Sequence, residues 1–244
     1  MKTTNRDMEP KTNRTTEPTT TRTREPPTRT MESMTTRTTA FTTTRTMEPT
    51  TTTTRSTDPT SSSRETSSTF LYFAYGSNLL KERLTLKNPS ATVHCVARLK
   101  DYRLVFGNHK GRASERWHGG VATIEHSPGD EVWGVVWRLS VTDLESLDSQ
   151  ENVTLGAYSP VELNVKTTEQ DLSCRTYIMN SCVYAPPSPQ YLKVMVMGAA
   201  QNGLPQEYQA KLRAIKTNMY EGPLHVMDEL ERAWHKVAHS PASL

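Results

Sequence analysis

Cysteine is scarce in this 244-residue chain: Cys95, Cys174 and Cys182 are the only three. An odd count excludes a complete disulfide framework, and their spacing matches no metal-ligand pattern. They read as reduced thiols of a cytoplasmic protein. The seven histidines are spread along the chain and include no His-Glu pair, so the pattern calls for no metal. His118, in Trp117-His118-Gly119-Gly120, reads as a turn residue. Long apolar runs are missing too, which excludes a bilayer-spanning helix. Aromatics are few, at 7%, and Phe41 is the only one before residue 70. Residues 1–68 are mostly Thr, Arg, Glu, Pro and Ser, with acid-Pro pairs such as Glu9-Pro10, Glu17-Pro18 and Glu25-Pro26. These pairs bring no apolar face that could stack, so they predict no solenoid. Such a segment buries too little to offset its ordering entropy and is expected to be disordered. It also has no apolar stretch of the secretory-signal form.

A strong charge of either sign is likewise absent from the remainder. Residues 1–68 hold 11 basic and 8 acidic residues, leaving 18 of each in the rest of the chain. A neutral folded part gives no electrostatic case for nucleic acid or an anionic membrane. About 175 residues remain, enough for one core of ordinary size.

What is present is most concentrated at Phe70-Leu71-Tyr72-Phe73-Ala74-Tyr75-Gly76-Ser77-Asn78-Leu79. An apolar run reads as a buried strand and breaks into Gly-Ser-Asn. Gly76 opens backbone angles and exposes neighbouring amides. Ser77 and Asn78 suit a turn or helix start ahead of Leu79 and Leu80. A strand-to-helix turn of this kind presents amide donors to an anion or a developing oxyanion.

Further strands are predicted over Thr92–Leu99, Tyr102–Phe106, Val121–Glu125, Glu131–Leu139, Ala157–Thr167 and Ser173–Met179. Pro128-Gly129-Asp130 reads as a turn. The run Glu131–Leu139, apolar on both faces, predicts a central strand, whereas Pro160 predicts an edge or bulge. Leu144 and Leu147 indicate a short helix capped by Thr142 or Asp143 and ending near Asn152. Ser188-Pro189 predicts a helix over Gln190–Gln201 that stops at Gly203, and Pro205 one over Gln206–Lys216. Leu224, Met227, Leu230, Trp234 and Val237 fall at helical spacing, as expected of residues that pack on a core. The sum is α+β, a mixed or barrel-like sheet with helices packed on it.

The acid–base candidates are carboxylates. Asp143, Glu145, Asp148 and Glu151 all lie in or just after the short helix. A carboxylate carried into an apolar pocket has its pKa raised and can exchange protons near neutrality. Residue chemistry by itself leaves all four open. Asn152-Val153-Thr154 has the form of a glycosylation sequon, expected to be silent without export.

Several segments closely resemble mammalian-type members of the γ-glutamylcyclotransferase family, the branch acting on γ-glutamyl-amino acids. They are Phe70 to Asn78, Asn88-Pro89-Ser90, Cys95 to Leu99, Trp117 to Gly120, Ser127 to Trp137, Ser146 to Glu151, Ala185 to Tyr191 and Asn202 to Pro205. The resemblance runs from about Phe70 to Lys216 and fades after Gly222, which divides the chain into residues 1–68, 69–222 and 223–244. It implies a small β-barrel flanked by helices, a cytoplasmic homodimer, no cofactor, and conversion of γ-glutamyl-amino acids to 5-oxoproline and free amino acid. It also implies Glu151 as the acid–base residue, and substrate contacts from Tyr72, Phe73, Ala74, Tyr75, Gly76, Ser77, Asn78, Tyr177 and Tyr191, with Tyr158 as a weaker addition. Two departures stand out. Asn152 occupies a position where relatives carry Gly, tolerable because Asn accepts the left-handed conformation, and Pro160 replaces a strand residue. The rival readings are a same-fold cyclotransferase acting on γ-glutamylamines or glutathione, and a non-catalytic binding protein.

Overall fold

The computed structural model describes residues 68–238. Apart from Ser68, the Thr/Arg-rich segment and the disorder expected of it lie outside the described residues. Strand β1 (Thr69–Ala74) runs antiparallel to β3 (Val121–Ser140), from Thr69 opposite Ser140 to Ala74 opposite Val135. On its other side β1 meets β5 (Asp171–Met179) in parallel, with Tyr72 opposite Arg175. β5 pairs along its length with β4 (Tyr158–Lys166), which touches β2 (Thr92–His109) where Lys166 faces Arg98. β2 returns to β3, so five strands close into a barrel, and β6 (Cys182–Tyr184) extends the β2 edge. Closure removes the open edges that a flat sheet of this size would present. This is the expected mixed barrel flanked by helices.

The expected strand breaks are not there. Thr92–Leu99 and Tyr102–Phe106 join into β2, and the two flanks of Pro128-Gly129-Asp130 join into β3. Lys100 faces Glu131 and Tyr102 faces His126, so the single residue Asp101 opposes Ser127–Asp130. Asp101 adopts φ 62° and its carboxylate accepts the Gly129 amide at 2.9 Å. Pro128-Gly129-Asp130 is therefore a bulge that bends a continuous ribbon, with no reversal of the chain. Val135, Val136 and Trp137 are fully buried, as the two-faced apolar run requires. Pro160 lies where β4 pairs only with β5, which leaves its missing N–H without consequence.

The helices follow their caps. Gly76 leads into a 3-10 turn at Ser77–Leu79 and then α1 (Lys81–Thr85). Helix α2 (Leu144–Gln150) is preceded by another 3-10 turn. Its entry is held by Ser140, which accepts the Thr142 amide at 3.3 Å. Asp143 holds the N-cap position of α2, as one of the two expected candidates, but its carboxylate accepts from the Ser90 amide and hydroxyl and not from the helix. Helix α3 (Pro189–Gln201) has Ser188 accepting the Tyr191 amide at 3.2 Å and Gly203 at φ 68° past its end. Helix α4 (Gln206–Arg213) ends earlier than Lys216, because the Ala214 and Ile215 amides close a tight last turn and Asn218 then bonds Pro187. In α5 (His225–Ala238), Val226 and Leu230 are buried in the barrel's own core together with Leu224 just before it. Met227 and Trp234 pack against that core, and the side chain of Val237 lies outside the described residues.

Gly198 sets the distance between α3 and the turn after β1. A Cβ there would lie 2.4 Å from backbone atoms of Leu79 and Leu80. Alanine gains about 1 kcal/mol in helix propensity over glycine, but overlap with a fixed backbone costs about 1–3 kcal/mol. Gly198→Ala is expected to lower the urea midpoint at unchanged slope; a midpoint at or above wild type would show that α3 moves freely against the turn.

Candidate active site

The turn that ends β1 reaches the mouth of a small polar cavity. Gly76, Ser77 and Asn78 form one wall; Tyr72, Tyr75, Tyr158, Tyr177, Tyr191, Ala122 and Glu151 complete it. Gly76 has φ −108°, so its place here depends on room: a Cβ would meet the Tyr191 hydroxyl at 3.0 Å and the Ala122 Cβ at 3.1 Å. Phe73 and Ala74, expected among the contacts, are fully buried and do not line the cavity. Strand alternation turns Phe73 away from Tyr72, and its ring packs over Gly134.

Glu151 ends α2, where the helix terminates as Asn152 turns left-handed at φ 51°. The position departs from glycine, yet Asn holds the required conformation. Asn78 donates its Nδ2 to Glu151 Oε1 at 3.2 Å and to the Tyr72 hydroxyl at 3.0 Å. Gln150 donates to Asn78 Oδ1 at 2.9 Å and accepts from buried Asn88 at 3.3 Å. The carboxylate is thus met by neutral donors only. Burial raises the Glu151 pKa, while the Arg83 charge and the Gln150 and Asn78 hydrogen bonds act in the opposite direction.

The other three carboxylates are committed elsewhere or stand outside. Asp148 makes a bidentate pair with Arg175 at 2.7 and 2.9 Å and accepts the Tyr177 hydroxyl at 2.5 Å. Asp143 holds Ser90, and Glu145 is exposed. Of the four, Glu151 alone lines the cavity.

The tyrosines divide by what their hydroxyls do. Tyr75 donates to the Tyr177 carbonyl and Tyr158 donates to the Ala122 carbonyl at 2.8 Å. Tyr72 and Tyr191 accept, from Asn78 and from the Ala122 amide at 2.9 Å, so each keeps its proton for the cavity. Burial raises the pKa of Tyr72, Tyr75, Tyr158 and Tyr177, and pushes Tyr191 up to about 12. All five are neutral hydrogen-bonding groups at physiological pH, and Glu151 is the one carboxyl among the residues that line the cavity. Burial pushes the Cys174 thiol up to about 12, so it is no nucleophile. His118 is a turn residue, as expected: it has φ 49°, stacks on Tyr220 at 4.7 Å, and its carbonyl accepts from Asn218 at 2.7 Å.

Arg83, Asn88 and Gln150 escaped the sequence reading as site residues. Arg83 follows Leu79 and Leu80 at four and three residues, a spacing that puts a cation on the buried face. Its guanidinium lies 5.9 Å from the Trp117 ring centroid, and its Nε and Nη1 are buried without a hydrogen-bond partner.

Residues 131–212 match the AIG2-like family. Among curated proteins, gamma-glutamylcyclotransferase of Mus musculus is 56% identical over 177 residues, 72% of this chain and 93% of the relative. The Homo sapiens protein of the same name is 57% identical over 164 residues, 67% of this chain and 86% of the relative. A solved structure described as gamma-glutamyl cyclotransferase superposes with a TM-score of 0.66 at 54% identity, covering 68% of this chain and 99% of its own. With more than half of the residues identical across nearly the whole of the mouse relative, the chain belongs to the gamma-glutamylcyclotransferase family. It is an enzyme of that family.

A nearby cation favours the charged form of a carboxylic acid and so lowers its pKa. Arg83→Gln removes that effect, and the Glu151 carboxyl is expected to titrate at higher pH than in wild type, read by NMR of 13C-labelled glutamate. A titration midpoint that does not move would show that Arg83 is too far away or too well screened to act on it.

Proposed function

We propose that the protein converts γ-glutamyl-amino acids into 5-oxoproline and the free amino acid, with Glu151 carrying the proton in both halves of the reaction. The observation behind this reading is the cavity itself: one titratable carboxyl among neutral hydroxyls and amides, on the loop and barrel of this family. The substrate holds its own nucleophile. Its α-amine attacks its γ-carbonyl carbon, a C–N bond closes a five-membered ring, and the bond to the departing nitrogen breaks. The enzyme must fold the substrate on itself and pass two protons from the α-nitrogen to the departing nitrogen. Glu151 as carboxylate takes the first from the α-ammonium and as carboxylic acid gives it to the leaving nitrogen as that bond breaks; the second, shed by the ring nitrogen, follows the same route, so the lactam keeps one N–H, the amino acid leaves as an ammonium and Glu151 ends as it began.

Charge develops on the γ-carbonyl oxygen as the ring closes. The backbone amides of the Tyr75-Gly76-Ser77-Asn78 turn, which lines the cavity, are suited to receive it. Tyr72 and Tyr191 add hydroxyl donors that the protein leaves unspent. Tyr177, fixed by Asp148 and Arg175, shapes the wall opposite the turn. The family resemblance also carries a homodimeric assembly and a cytoplasmic location. Light scattering of the eluted protein is expected to give twice the monomer mass, and a monomer would remove the assembly from this reading.

Glu151→Gln keeps the size and hydrogen-bonding reach of the side chain but cannot move a proton. It is expected to lower 5-oxoproline release from γ-glutamyl-alanine about 10²- to 10⁴-fold with little change in substrate binding, read by mass spectrometry. Turnover near wild type would reject Glu151 as the acid–base group. Because the carboxylate form starts the reaction and burial raises its pKa, kcat/KM is expected to rise with pH through that elevated pKa. A profile flat across the acidic and neutral range would contradict the assignment.

A further inference from the structure

Tyr158 is a shared wall. It lines the catalytic cavity on one side and, on the other, an open cleft with about 1040 Å³ of free space between residues 108–116 and 152–158. Lys110, Arg112 and Arg116 line this cleft with one acid, Glu115. At Arg116 and Asn152 it meets a second cleft, lined by Arg83 and Lys87 and by no carboxylate. Glu229 pairs with Arg116 at 2.8 Å and offsets part of that charge. Residues 69–244 are neutral as a whole, so this excess of cations beside the cavity is local.

From this we infer that the cleft bounded by Lys110, Arg112 and Arg116 receives the part of the substrate that leaves, and selects a leaving group that carries a carboxylate. The inference rests on the reaction proposed above and deepens it by naming which side chains discriminate. Once the glutamyl half occupies the polar cavity next to Glu151, the departing half emerges past Tyr158. An amino acid there places its carboxylate among the guanidinium and ammonium groups, whose donors match carboxylate oxygens. Leu155, exposed on the same cleft, offers an apolar surface for the leaving residue's side chain. A simple amine leaving group makes no such contact, and its substrate loses the benefit of the field.

The test compares two substrates that differ at this point only: γ-glutamyl-alanine and γ-glutamyl-ethylamide, whose leaving group is alanine without the carboxylate. Wild type is expected to favour the alanine substrate in kcat/KM. In the Lys110→Gln/Arg112→Gln variant, KM for γ-glutamyl-alanine is expected to rise about 10-fold with kcat held, while the ethylamide constants stay put. Raising the ionic strength should weaken the preference of wild type alone. Equal efficiency of wild type on both substrates, or a preference that the double variant leaves intact, would overturn the assignment of the cleft. Turnover of neither substrate by wild type would instead defeat the proposed reaction, and the selectivity inference with it.

Discussion

A carboxyl group drawn into a cavity must be met there by partners that replace water, and most of the site follows from that constraint. A buried carboxylate without partners is costly, but a direct ion pair would hold it permanently ionised. Glu151 avoids both. It receives neutral hydrogen bonds from Asn78 and Gln150, and the one cation acting on it, Arg83, makes no ion pair with it. Three residues earlier, Asp148 shows the other outcome: it is clamped by Arg175 and Tyr177. Two carboxyl groups on one short helix thus have opposite roles, separated by what faces them across the barrel.

The barrel supplies those faces. β1 and β5 lie side by side in parallel, which brings the turn after Ala74 and Tyr177 to the same mouth. Asn78, leaving that turn, spans the gap to the end of α2 and ties it to Tyr72. Behind it the chain Asn88–Gln150–Asn78 fixes the amide orientations, so that Asn78 can only donate to the carboxylate. Neutrality of the five tyrosines matters equally. Any one of them ionised would repel the carboxylate whose protonation must stay adjustable.

Much of this was legible before the fold was known. The β1 run with its Gly-Ser-Asn ending, the Ser188-Pro189 cap and the double-faced strand at Trp137 are local patterns with local causes, and the structure follows them. The bulge at Pro128-Gly129-Asp130 was not, because a turn signal carries no sign of the partner strand that keeps the ribbon continuous. β6 is three residues long, too short for any period. The choice of Glu151 over Asp143, Glu145 and Asp148 came only from family resemblance, since spacing on a helix does not say which residue a barrel will cover. Gly76 has a further reason to be there: a Cβ would crowd the Tyr191 hydroxyl and Ala122. Arg83 was not singled out in the sequence, although its position after Leu79 and Leu80 marks the buried face.

The close approach at Gly198 bears on how the cavity is entered. Leu79 and Leu80 are buried under α3 with almost no clearance, so lifting the turn would mean undocking a helix from the hydrophobic core. Local openings of that kind require free energies near that of unfolding the whole domain. The turn is therefore a floor and not a door. Any adjustment of the cavity to what it holds falls to side chains such as Tyr158 at its rim, while the backbone of the turn stays where it is.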